Sequence, residues 1–459
     1  MFAAADIEAI HTAALRVLES TGVLVQDDEA VALLEARGAS TDGRLVRIGE
    51  GAVLEALAAA PRSFVLAGRS PARDLLIGGP GTVTGTVSGP AYVLDGDVVR
   101  PGRLDDACDL ARLAHVSSDI DFQGDCIEPL DLPEEQRTRL GTHARLTLSD
   151  KCVEWIATVD ADLDEAETIN DILWGAGWAD RPRAFIILNT TSPLQLAAET
   201  ARLLVRWARL GQPSCVTACV MGGTTGPATP AGTLVVQHAE VLAALVLAQA
   251  AGEGSPFVYG GLSTLSDLRT GAATFGTAAF ADMAEASVRL AHHCGLPVRA
   301  GAAVTDAHAP DAQAMLESAL GLSAGMHAGA DFIMQAAGVL SSYNVMSLEK
   351  LLMDCELIAM LRAAATPEAT DAEALAEDIL AAVGPAGSFL GQSHTRRHAR
   401  DHARPTFVVR DALEKWLAGG GQDLRAAAAA QVTRRLDAYE PPDDLDATVR
   451  RQLDQYCLS

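Results

Sequence analysis

Two aspartates and a histidine fall within six positions of the stretch TDAHAPDAQ, which runs from Thr305 to Gln313. Asp306, His308 and Asp311 form a titratable cluster of the kind that moves protons or holds charge, and they are the candidate catalytic residues. Asp311 stands ahead of an amphipathic run, so it also reads as a helix N-cap. Polar residues close other apolar runs in the same way. Asn189 ends one and is followed by Thr190, Thr191 and Ser192. Tyr259 sits late in another, with Asp267 and Arg269 beyond it, and Gln335 and Tyr343 follow a third. For each of these, capping or turn formation competes with a role in binding.

Several other chemistries lack their residues. A Schiff base needs a desolvated lysine, and only Lys151, Lys350 and Lys415 exist. No G-x-S-x-G elbow occurs, and MGGTTG (Met221 to Gly226) has neither the lysine nor the spacing of a phosphate loop. His394, His398 and His402 recur every fourth residue and would share one helical face. The arginines of HTRRHARDHAR disfavour a cation there, so no metal is expected. The eight cysteines are dispersed without a C-x-x-C pair, which fits a reducing compartment. A net charge of −25 argues against nucleic acid as a partner, because phosphate neutralisation needs a basic surface. The same charge favours solubility and attracts small cations. The first twenty residues lack a basic, apolar leader pattern, and no uninterrupted apolar run approaches the roughly 20 residues of a membrane span. The expected location is the cytoplasm, with no membrane partner.

The elements that must position these residues follow from the spacing of apolar runs. Strand-like runs recur at Thr82–Val87, Ile120–Gly124, Cys152–Thr158, Ala184–Asn189, Ser214–Val220, Phe257–Gly261, Val298–Ala303 and Asp331–Ala336. Their starts lie roughly 30 to 42 residues apart, the length of a strand, a loop and a crossover helix. Eight such units predict an α/β chain closed into a (β/α)8 TIM barrel, whose chemistry sits on the loops after the strands. An open doubly wound sheet is the competing fold, but no Gly-rich dinucleotide fingerprint follows an early strand. The expected division is an N-terminal α+β extension over 1–103, a barrel core over 104–365 and a helical segment over 366–459 packed on the barrel. The extension either stops short of the barrel or lends it the first strand. Asp95-Gly96 marks a hairpin turn within it.

The chain also resembles the trimethylamine methyltransferase superfamily. The resemblance rests on SPLQ from Ser192, GTLVVQHAEVLAALVLAQ, FVYGG with DLRTGAATFG, GLPVRAG and TDAHAPDAQ. Further on it extends to AGADFIMQAAGVL, SLEKLLMDCEL and GPAGSFLGQSHTRRH, and the opening DIEAIHTAALRVLESTGV is similar too. It implies a TIM barrel that transfers a methyl group from an amine to the Co(I) of a separate corrinoid (cobalamin) protein, with no cofactor bound directly. It also implies a homo-oligomer. The archaeal trimethylamine enzymes of this superfamily use pyrrolysine; this sequence has ordinary residues throughout. The resemblance is therefore to the non-pyrrolysine branch, whose members act on quaternary amines such as glycine betaine, proline betaine or carnitine. A quaternary nitrogen needs no added proton to leave as a neutral amine, so the site must desolvate and align it. On that reading Tyr259, Trp155 and Tyr343 offer π-faces for the cation, with barrel packing the competing role for Trp155. Arg269 and His308 are candidates for a betaine carboxylate, oriented by Asp306 or Asp311. Asn189, Gln313 and Gln335 complete the substrate-binding set. A barrel lyase or hydrolase for a small cationic metabolite, or a binding protein without turnover, stays open as an alternative.

Overall fold

The computed structural model describes residues 2–301, 303–401 and 406–459. Eight parallel strands close into a barrel: β1 (Val83–Thr86), β2 (Phe122–Gln123), β3 (Cys152–Trp155), β4 (Phe185–Asn189), β5 (Ser214–Ala218), β6 (Phe257–Gly261), β7 (Val298–Gly301) and β8 (Phe332–Ala337). Each is hydrogen-bonded to its sequence neighbours, and β8 pairs with β1 to close the ring. A helix follows every strand: α1 (Leu104–Val116), α2 (Glu134–Leu148), α3 (Asp160–Trp174), α4 (Ala198–Arg209), α5 (Pro230–Ala251), α6 (Ala278–His293), α7 (Ala312–His327) and α8 (Leu348–Ala365). Local chemistry starts the last four helices. Thr229, Thr277, Asp311 and Ser347 each accept a backbone N–H in the first turn, satisfying a donor that the helix itself leaves unpaired. The fold is a (β/α)8 TIM barrel, as the run spacing predicts, and β1 comes from the stretch before residue 104.

Strand parity sorts the side chains. Successive residues of a strand point to opposite faces. Val83, Phe122, Cys152, Phe185, Cys215, Val258, Phe332 and Met334 fill the barrel interior as one apolar cluster. Phe122, Phe185 and Phe332 meet edge-to-face with centroids 5.1 to 5.7 Å apart. The antiparallel pair Phe64–Leu66 and Leu75–Ile77 joins this cluster. The intervening residues, Val153, Trp155, Ile186, Leu188, Val216, Tyr259, Val298 and Ile333, pack outward in the layer shared with the helices.

The N-terminal extension has a packing role that explains an unusual helix. The 22 residues of α5 are long and apolar enough to cross a bilayer, yet 83% of the most apolar window is buried. A helix apolar all round needs cover on every side. The inner side of α5 lies on β5 and β6, α4 and α6 flank it, and the helices Ala4–Ser20, Asp28–Ala36 and Glu50–Ala59 cover its outer side. At the other end of the chain, the helix Leu424–Asp437 packs on α8 and α1, and Ala447–Leu458 packs on α2 and α3, burying Leu453 and Cys457. No described residue from 366 to 423 is buried.

Candidate active site

A cavity of about 1070 Å³ opens at the C-terminal ends of the barrel strands, and residues on or after all eight of them line it. Parity places its charged groups. Glu154 follows Cys152 on the inner face of β3, and Arg299 is the inward residue of β7; both are buried in the middle of otherwise apolar strands.

Arg299 is 2% exposed and forms no ion pair among the described residues. One Nη2 hydrogen goes to the Gln335 side-chain oxygen, while Nε and Nη1 have no aligned hydrogen-bond partner among the described residues, the neighbouring Tyr343 hydroxyl included. A buried guanidinium left in that state lacks compensation for its lost hydration, so it favours an anion that reaches it. Gln335 holds it from a bulge in β8, with a left-handed backbone (φ 54°) that non-glycine residues seldom adopt. The loop after β8 continues the strain: Ser341, Ser342 and Tyr343 have φ of 51°, 52° and 80°, and all three line the cavity.

An acidic pair lies across the barrel. Glu154 accepts from the Ser88 hydroxyl and from the Asp125 backbone N–H at 3.1 Å. Burial raises its carboxyl to about 7, with the neighbouring Asp125 adding to the rise and the Ser88 bond and Arg145 opposing it. Burial likewise raises Asp125, opposed by Arg145, whose guanidinium lies 3.7 Å away. Arg145 is anchored elsewhere, donating to the Gly124 and Glu154 carbonyls at 3.1 and 2.6 Å. Two carboxyls of shifted acidity facing one unpaired guanidinium suit a ligand with a positive and a negative end. Phe275 and Tyr343 stand edge-to-face, 5.2 Å apart, as the aromatic wall. The Tyr343 hydroxyl is buried beside the Arg299 guanidinium, with no aligned hydrogen-bond partner among the described residues.

Of the residues singled out from sequence, Asn189, His308, Gln335 and Tyr343 line the cavity. His308 sits at its exposed mouth, with Nδ1 2.8 Å from the Ser341 hydroxyl. The remaining candidates are placed elsewhere. Trp155 and Tyr259 point outward because their strand neighbours Glu154 and Val258 point inward. The Arg269 side chain is 90% exposed and paired with Asp267 at 3.1 Å. Asp306 braces two loops from behind, accepting from the Phe275 and Gly276 N–H groups and from the Ser342 hydroxyl at 2.7 Å. Gln313 donates to Glu317 on the surface of α7. Asp311 caps α7, accepting from the N–H groups of Gln313 and Ala314 at 2.9 and 3.1 Å. Asp311→Ala should therefore cost about 1 kcal/mol of stability, read from a denaturant midpoint, and leave ligand affinity unchanged. A loss of affinity with no change in midpoint would return Asp311 to the site.

Spacing missed Arg299, Glu154, Asp125 and Phe275. The signal for the first two was present: a lone charge in the middle of an apolar strand-like run must face something polar. His394 and His398 do share a helical face, beside Glu373, but Arg397 bonds the same carboxylate. His402 lies outside the described residues.

Comparison with known proteins covers the whole chain. A family model described as trimethylamine methyltransferase matches residues 1–458. The glycine betaine methyltransferase of Desulfitobacterium hafniense (strain Y51) is 33% identical over 95% of this chain and 92% of its own length. The trimethylamine methyltransferase of Methanosarcina thermophila is 30% identical over 97% of this chain and 95% of its own. Among solved structures, the monomethylamine methyltransferase of Methanosarcina barkeri superposes with a TM-score of 0.52 over 94% of this chain and 93% of that one. At 13% identity, that likeness speaks for the fold.

Proposed function

This chain belongs to the trimethylamine methyltransferase family and is a methyltransferase; from that premise we propose that its methyl donor is a small quaternary ammonium carboxylate of the glycine betaine type. The observation that carries the reading is Arg299, a buried guanidinium with two nitrogens unpartnered inside the cavity. A donor carboxylate pairs with its planar fork in a bidentate manner. Across the barrel, Glu154 and Asp125 hold the ammonium by charge, and Phe275 and Tyr343 offer it ring surface. Proline betaine and carnitine share both charged ends and differ in bulk and spacing.

The residues present also suit an acceptor carried by another protein. Cys219 is the one thiol among the lining residues, and burial raises its pKa, opposed by Arg299, so it is a poor nucleophile. No lysine lines the cavity, and neither of the two side-chain groups able to hold a metal among the described residues reaches it. The acceptor therefore enters through the open mouth, beside His308 and Asn344. A corrinoid carried by a partner protein would supply a Co(I) nucleophile there. The work of this chain is binding and alignment: Arg299 and Glu154 fix the two ends of the donor, and Ile156, Leu262 and Phe275 exclude water from the N–CH₃ bond. The departing tertiary amine is neutral, so no general acid is needed. The cavity is as large as the roughly 300–1,000 Å³ of ordinary ligand clefts or larger, which leaves room above a small donor.

A thermal-shift panel tests the reading with glycine betaine, proline betaine, carnitine, choline and trimethylamine. A ligand that binds only the native state raises the melting midpoint by mass action. The zwitterions should raise it, and choline and trimethylamine should not. A shift with choline or trimethylamine alone would remove the role given to Arg299.

A further inference from the structure

A second chemical cluster lies behind the barrel wall, and none of its residues lines the active-site cavity. His11 on the helix Ala4–Ser20, His238 on α5 and Cys294 at the C-cap of α6 converge from three separate elements. His11 Nδ1 lies 2.9 Å from His238 Nε2. Cys294 Sγ lies 3.8 Å from the first nitrogen and 3.9 Å from the second. From these atoms we infer that the chain carries a second site, for a zinc ion, at His11, His238 and Cys294.

The triangle has the dimensions of a metal site. A point slightly off its plane is about 2.0 Å from both nitrogens and about 2.3 Å from the sulfur, the Zn–N and Zn–S lengths of protein sites. Two imidazoles and a thiolate are the donors zinc prefers, and calcium or magnesium would need oxygens. The outer shell is also present. The His238 ring turns its other nitrogen, Nδ1, to the Tyr259 hydroxyl at 3.1 Å, and Gln237 Nε2 donates to that same hydroxyl at 3.1 Å. Metal-bound histidines are oriented by a partner of this kind on the far nitrogen. It also gives Tyr259, which parity turns away from the cavity, a reason to be a tyrosine.

Binding balances simply. The Cys294 S–H bond breaks, an S–Zn bond forms and one proton leaves to solvent, while both imidazoles bind uncharged. The three protein groups leave zinc a fourth position for water. The ion would tie the N-terminal helix to α5 and α6, the helices it packs against. This site is independent of the methyl-transfer reading.

Cobalt is the probe. The full-length chain is stripped with a chelator, refilled with one equivalent of Co²⁺, and scanned for the thiolate-to-cobalt charge-transfer band in the near ultraviolet. Chains purified without added metal should contain zinc, and the refilled wild type should show the band. Cys294→Ser and His11→Gln should each lose it, with folding checked by circular dichroism. Tyr259→Phe should keep the band and weaken cobalt binding roughly ten-fold. His394→Ala, in the exposed histidine cluster, should change nothing. Absence of the band in the wild type, or its survival in Cys294→Ser, would overturn the site.

Discussion

Replacing Arg299 by methionine is expected to weaken glycine betaine binding about 100-fold or more, measured by titration calorimetry, while the protein keeps its fold. Removing one partner of a buried, hydrogen-bonded charge pair costs roughly 2–5 kcal/mol, and each 1.4 kcal/mol is about ten-fold in affinity. Without ligand, Arg299 has no ion-pair partner in contact with it among the described residues, and two of its nitrogens have no aligned acceptor. The free protein therefore holds a buried cation that is only partly paired. Methionine fills a similar volume without charge, so the melting midpoint of the free protein should hold or rise as affinity falls. Lysine keeps the charge and loses the fork, and it should recover only part of the affinity. Choline lacks a carboxylate, and its weak binding should be the same in wild type and both variants. An equal loss for choline and betaine would show that the substitution had collapsed the cavity instead.

The second large effect belongs to Glu154 and is a pH dependence with opposite signs for binding and stability. Burial raises its carboxyl to about 7. An ammonium is held only by the ionised form, so betaine affinity should climb about ten-fold from pH 6 to pH 8 and then level off. Stability runs the other way. The unfolded chain releases this proton near 4.5 and the folded chain near 7, so the folded state binds more protons between those values and loses stability as the pH rises through them. Above neutrality the cost is on the order of 3 kcal/mol. Glu154→Gln should therefore flatten the affinity profile and bind betaine about ten-fold more weakly at pH 8. It should also unfold at higher denaturant than wild type at that pH. Asp125 is raised by burial in the same pocket, so Asp125→Asn is the control: a profile that flattens there and persists in Glu154→Gln would transfer the role to Asp125.

Much of the fold was legible before any coordinates. The apolar runs that start at Thr82, Ile120, Cys152 and their five successors all became barrel strands, within one to a few residues of their expected bounds. Strand spacing and helix periodicity are local properties, and a strand–helix repeat has few ways to close. The site was legible in part. Asn189, His308, Gln335 and Tyr343 reach the cavity because the C-terminal ends of barrel strands and the loops after them point there whatever else they do.

The remainder depended on parity and on contacts between distant segments. Trp155 and Tyr259 were attractive as aromatic residues, but a shift of one position along a strand turns a side chain from the cavity to the helical layer. Glu154 and Val258 are the inward residues instead. Arg269 follows the same strand as the cavity-lining Phe275, yet its loop turns it into solvent beside Asp267. The sequence by itself determined the barrel, its helical cover, the family and the rim on which the chemistry lies, because these follow from composition, periodicity and motif. Only the tertiary structure decided that Arg299 and Glu154 face each other's half of the cavity, or that His11, His238 and Cys294 meet at all. Those pairings span up to 283 positions of chain, and only closure of the barrel and packing of the N-terminal helix on α5 bring the side chains within reach.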